Sequence, residues 1–181
     1  MAYPNHPAPP PPPQTMGSTN TVFNTQTRFD PSYVKTLPGV LKVTVIVLNC
    51  IGFICIVSSA FRSNGRGVYF ALVAHLGLWF SGAMLALYLL HLVEKYHNIR
   101  WLNVEMVAYI VLVFLNLTAS TIVVAFGAAA YSAAGFFGYL AMVVYGGDAF
   151  VKYKALKAGE LAQGHRVHTK QTHVTTPPAL A

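Results

Sequence analysis

The chain has 181 residues, of which 55% are hydrophobic and only 9% charged, with a mean hydropathy of +0.51. A soluble domain carries about 25% charged residues, so the composition excludes an ordinary soluble domain. The formal net charge of +7 does not argue for nucleic acid, because the charges sit at the ends of apolar segments and in the tails.

Residues 1–38 open the chain with Pro4, Pro7 and the run from Pro9 to Pro13, followed by a polar stretch rich in Thr and Asn. The segment lacks the apolar core of a signal peptide. It cannot bury enough apolar surface to fold, so a disordered tail is expected. Its proline run is a candidate ligand for an SH3 or WW domain. Pro38 biases Leu37 away from helix, and Pro38-Gly39 marks the entry into the membrane. The first span is expected over 40–61. Its one charge, Lys42, lies in the first turn, from which it can snorkel to the head groups. Cys50 and Cys55 are five apart, on different helix faces, and read as unreactive thiols rather than a disulfide pair.

A short connector, Arg62 to Arg66, leads to a second span over 67–93. Gly77 and Ser81, and Gly82 and Ala86, recur four apart, a spacing that lets helix backbones approach. A second connector covers 94–100. Residues 106–147 then contain no Asp, Glu, Lys or Arg. As one helix this stretch would measure about 63 Å at ~1.5 Å per residue, twice the roughly 30 Å of a bilayer core. Two helices joined by a tight turn fit instead, with the turn placed in the small-residue segment between Gly127 and Gly135. The third and fourth spans are expected over 101–127 and 133–151, with small residues at Ala134 and Gly138 facing the third span. The chain ends in a basic tail over 154–181. The tail histidines His165, His168 and His173 have no Cys beside them, so no metal site is expected. The fold class is an all-α membrane protein, a four-transmembrane-helix bundle over 39–153.

Four spans put both tails and the 94–100 connector on one side. Of the 12 Lys and Arg, only Arg62 and Arg66 fall on the other. The positive-inside rule makes both termini cytoplasmic, and the two outer turns are too short for an ectodomain.

Polar residues at membrane depth are the candidates for function. Lys42, Glu105 and Asp148 fall near one boundary and form a candidate charged cluster, and Asp148 precedes Lys152 by four residues. Lys152, Lys154 and Lys157 read as a contact with anionic lipid. Asn49, His75 and Asn116 lie deeper, as interhelical hydrogen-bond formers or, in the alternative reading, as parts of a small ion or proton channel or transporter. Asn116-Leu-Thr118 matches a glycosylation pattern but lies in mid-span. Tyr153 with Leu156, and Tyr96 with Ile99, match a tyrosine-based sorting pattern or serve as interfacial aromatics. No metal spacing, activated nucleophile or phosphate loop supports an enzyme, and no cofactor is expected.

The segment Tyr33-Val-Lys-Thr-Leu-Pro-Gly-Val-Leu-Lys42 and the span end Ile54-Cys-Ile-Val-Ser-Ser59 resemble the MARVEL family, over about 29–156. Within it they look like the plasmolipin and chemokine-like-factor-like branch. The synaptophysin type has longer outer loops with disulfides, which this chain lacks. The resemblance implies four helices with cytoplasmic tails, no catalytic residues, and work in membrane microdomains, vesicle traffic, membrane apposition or stabilisation of partner membrane proteins. Its implied partners are cholesterol-rich lipid and other membrane proteins, at the plasma membrane or on endosomal and Golgi vesicles.

Overall fold

Membrane helices form where apolar runs are long enough, and the first two long helices also begin at side-chain caps legible in the chain. The computed structural model describes residues 15–22, 29–96, 98–160, 162 and 165–172. A 3-10 turn, Pro31–Lys35, precedes helix α1, Leu37–Val57. The Thr36 side chain caps α1 by accepting from the Gly39 N–H at 3.3 Å. Pro38 sits in the first turn, where its missing N–H is no loss. Leu37 is therefore helical, contrary to the bias expected from the proline. Helix α2, Gly65–Leu89, is capped by Asn64, whose side chain accepts from the Arg66 N–H at 3.0 Å. A one-turn helix α3, Leu92–Lys95, starts after His91 at φ 54°. Helix α4 runs Trp101–Val124 and helix α5 runs Ala129–Lys157.

The turn between α4 and α5 is shorter than the sequence suggested. It occupies only 125–128, with Gly127 at φ 81° supplying the left-handed conformation that glycine adopts without strain. Gly135, expected to close the turn, is buried inside α5. Helix α5 also continues past the expected end at 151 to Lys157. All four long helices are long and apolar enough to cross a membrane.

Neighbouring helices pack in the ring order α1, α2, α4, α5, each antiparallel to the next. At one end lie the starts of α1 and α4 and the ends of α2 and α5. At the other lie the turns 58–64 and 125–128. The core is layered along the axis. Near the turns it holds Ile56, Phe70, Val73, Val123, Tyr131 and Ala134. Mid-bundle it holds Val45, Tyr109, Leu112, Ala141 and Tyr145. At the opposite end Met84, Tyr88 and Val93 pack together.

A separate unit pairs strand β1, Thr15–Val22, with strand β2, His165–Thr172. The pairing is antiparallel, with Thr15 opposite Thr172 and Val22 opposite His165. Both segments lie in tails expected to be unfolded or merely basic. Their Thr and Val content suits strand backbone, although two strands alone are marginal in water. The proline run and His173 lie outside the described residues.

Candidate polar site at the charged end of the bundle

Lys42 from α1, Glu105 from α4, and Asp148 and Lys152 from α5 meet on the bundle axis. Lys42 Nζ is ion-paired with Glu105 Oε1 and lies 3.7 Å from Asp148 Oδ2, while Lys152 Nζ lies 3.0 Å from Glu105 Oε2. All four residues are buried, with Lys42 and Glu105 at 0% exposure. Lys42 therefore does not snorkel. Its helix position, ~8 Å from the start of α1 at ~1.5 Å per residue, faces the interior. The group has two positive and two negative charges, so it is neutral as a whole.

Tyrosines complete the cluster. Tyr88 of α2 donates to Glu105 Oε2 at 2.8 Å, and Tyr109 of α4 donates to Glu105 Oε1 at 2.9 Å. Every long helix thus contributes at least one group. The Lys42 ammonium also lies 4.9 Å from the Tyr88 ring centroid and 5.7 Å from that of Tyr109, and Lys152 lies 5.1 Å from Tyr88. Such cation–π contacts strengthen when desolvated.

The 3-10 turn closes this end. Tyr33 stacks on Tyr88 with centroids 4.7 Å apart and rings 1° from parallel, and its centroid is 5.9 Å from the Lys42 ammonium. Burial, with Glu105 and Asp148 nearby, pushes the Tyr33 phenol up, so it stays neutral. Among the described residues the buried Tyr33 hydroxyl has no hydrogen-bond partner. Gly39 makes the fold-over possible, because a Cβ there would collide with the Tyr33 carbonyl oxygen. The Asp30 N–H donates to the Leu89 carbonyl at 2.9 Å, and Asp30 lies 4.0 Å from His91.

Lys42, Glu105 and Asp148 are thus in one place, joined by Lys152, Tyr33, Tyr88 and Tyr109, which the sequence reading left out of the cluster. The sequence predicts a lipid contact for Lys152 together with Lys154 and Lys157. The structure corrects this: Lys152 is buried against Glu105, while Lys154 and Lys157 are exposed. Its signal was present in the four-residue spacing from Asp148, and Tyr109 stands four residues after Glu105.

A second polar layer lies deeper. Tyr145 Oη accepts from Asn49 Nδ2 at 3.0 Å and lies 3.2 Å from Ser81 Oγ. Asn49 also donates to the Val45 carbonyl at 2.7 Å. Gly77 makes room for this knot, since a Cβ there would come within 2.6 Å of Tyr145 Oη. Gly77 and Ser81 therefore face the bundle interior. Asn116 is buried and donates to the Leu112 carbonyl at 2.9 Å. Nearer the turns, Ala134 is fully buried. A Cβ on Gly138 would strike Ser120 Oγ and approach Phe70 Cε2 to 2.8 Å. Gly138 thus sits where α2, α4 and α5 converge.

The remaining candidates stand apart. His75 points outward from α2, between Phe53 and Trp79. Gly82 faces outward too, with nothing within 4 Å of a Cβ placed there. Tyr153 and Leu156 lie inside α5, so that sorting pattern is helical, whereas Tyr96 and Ile99 are exposed in the connector before α4. Cys50 and Cys55 are free thiols. Among the described residues no group of His, Cys, Asp and Glu could hold a metal ion.

No solved structure matches this chain. The family model for MARVEL, the membrane-associating domain, matches residues 33–151, from Tyr33 at the stacked tyrosine pair to Val151 beside Lys152. The chain is a multi-pass integral membrane protein with four candidate spans, of a kind that is generally non-enzymatic, and it belongs to the MARVEL family.

Proposed function

We propose that this protein is a non-catalytic organiser of the membrane, acting in microdomain formation, vesicle traffic or membrane apposition, or stabilising partner membrane proteins. Within the family it stands nearest the plasmolipin and chemokine-like-factor-like branch. Both termini face the cytoplasm, as the Lys and Arg distribution argues, at the plasma membrane or on endosomal and Golgi vesicles.

One observation carries the reading: the working surface is the apolar flank of the bundle. Leu72, Trp79, Phe114, Phe136, Val143 and Phe150 are each more than half exposed and spread over α2, α4 and α5. At the turn end only 58–64 and 125–128 lie between helices, so lateral contact with lipid and other membrane proteins is what the bundle offers. Sterol-rich lipid and neighbouring helices are the partners this surface suits. The Tyr96-to-Ile99 connector and the proline run would serve cytoplasmic binders. The channel reading requires polar groups in series along the core. Asn49 and Asn116 spend their amides on local carbonyls and Tyr145, and His75 faces outward, which favours the organiser.

Giant vesicles with coexisting ordered and disordered phases test the proposal. The labelled full chain is expected to concentrate in the ordered, sterol-rich phase. Exclusion from that phase, with or without sterol, overturns the microdomain role.

A further inference from the structure

His75 is a polar residue that α2 turns away from the bundle. It lies on α2, with Gly65 ~15 Å and Leu89 ~21 Å away along the axis at ~1.5 Å per residue. In a core roughly 30 Å thick that is close to the midplane. The side chain is exposed on the outer face, and among the described residues it has no hydrogen-bond partner, only the rings of Phe53 at 5.6 Å and Trp79 at 6.1 Å. Several other polar groups in the spans are bonded within the bundle. Asn49 and Ser81 both bond Tyr145, and Thr44, Thr118 and Thr121 return their hydroxyls to carbonyls of their own helix. A polar residue turned toward hydrocarbon without a partner points to a group that is brought to it.

We infer that the outer face of α2 is a self-association surface on which His75 of one copy hydrogen-bonds His75 of a second copy. A neutral imidazole carries one donor and one acceptor, so it is complementary to itself. Two copies inserted with the same topology present His75 at the same depth, and a two-fold axis passing beside His75 brings it against its own counterpart. An unrelated helix would need a polar group at that depth by coincidence. The adjoining surface has the relief for close packing. Leu72 and Trp79 are both 65% exposed, and Gly82, one turn beyond, leaves open space where a side chain of the second copy fits. A sterol hydroxyl sits at the bilayer boundary, far from this depth, which makes a sterol the weaker occupant.

Energy transfer between donor- and acceptor-labelled full chains in phosphatidylcholine liposomes, diluted stepwise with lipid, tests the inference. Wild type is expected to associate, and His75→Leu to need about tenfold less lipid for dissociation, the size of a buried interhelical polar contact. His75→Gln keeps a donor and an acceptor and is expected to behave like wild type. Because His75 contacts lipid rather than core, both variants should melt like wild type in detergent. Absence of energy transfer for wild type at every lipid ratio overturns the inference. So does His75→Leu dissociating at the wild-type ratio, or a variant that loses photo-crosslinking to a sterol probe while keeping its energy transfer.

Discussion

Glu105 is the residue through which the charged end is held together, and Glu105→Gln isolates its charge. The substitution keeps the shape and leaves an amide oxygen for Tyr88 or Tyr109. It also leaves Lys42 and Lys152 facing Asp148 alone, so one buried positive charge is uncompensated. Removing one partner of a buried ion pair costs about 3–5 kcal/mol. Lys42 lies only ~8 Å from the start of α1 at ~1.5 Å per residue, and partial escape toward the boundary lowers the cost to the bottom of that range. For a chain of this size about 3 kcal/mol corresponds to a fall of roughly 6–12 °C in Tm. The assay is thermal melting of the purified chain in mild detergent, with Glu160→Gln as an exposed control expected to melt like wild type. Removing Glu105 and Lys42 together, as Glu105→Leu with Lys42→Met, leaves Asp148 balanced by Lys152. It is expected to recover at least half of the loss, since apolar replacement of a buried pair is often tolerated. A Glu105→Gln variant that melts with the Glu160→Gln control, or a double variant less stable than the single, refutes the reasoning.

Asp148→Ala also leaves the cluster positively charged, and should lower Tm or expression clearly more than Glu160→Ala; equal behaviour removes Asp148 from the cluster's energetics. Tyr33→Phe deletes only a hydroxyl that has no partner among the described residues and is expected to leave stability unchanged, whereas Tyr33→Ala removes the half-buried ring stacked on Tyr88 and should cost about 3 kcal/mol, the low end for an aromatic ring, by the same melt. Gly138→Leu must displace Ser120 and Phe70 and should destabilise strongly, while Gly82→Leu, which meets open space, should leave the monomer's Tm unchanged; similar Tm values for the two would misplace the packing core. Tags at either terminus should be reached by antibody only after permeabilisation of cells, and labelling of either tail on intact cells would reverse the topology.

The number of membrane spans is legible in the chain because the apolar runs are separated by short polar connectors, and the charge-free stretch 106–147 is too long for one span. Helix boundaries are less so. Pro38 biases its neighbour away from helix in sequence, yet its place in the first turn, after the Thr36 cap, makes it compatible with helix. The small-residue run between Gly127 and Gly135 suggests a wider α4–α5 turn than the structure has, since only Gly127 needs a left-handed backbone and Gly135 serves packing instead. Glu105 and Asp148 were legible as a pair at one depth from helical rise alone. The direction of Lys42 and the role of Lys152 were not, because a lysine near a helix end reads the same whether it reaches outward to head groups or inward to a carboxylate. The stacked Tyr33 depends on a chain reversal permitted at Gly39, which leaves no periodic trace in the sequence.

The apolar flank carries the reading of this protein as an organiser, and the preference over a conductor is supported by Asn49 and Asn116, which spend their amides on local carbonyls and Tyr145, and by the outward-facing His75. Proton and ion flux through liposomes reconstituted with the purified full chain tests this most directly, using a pH-sensitive dye inside the vesicles and an imposed gradient. The expected result is a leak equal to that of protein-free vesicles, unchanged in Glu105→Gln. A flux that rises with the amount of wild-type chain and disappears in Asp148→Ala, with the bundle still folded, would contradict it and make the charged end a gate.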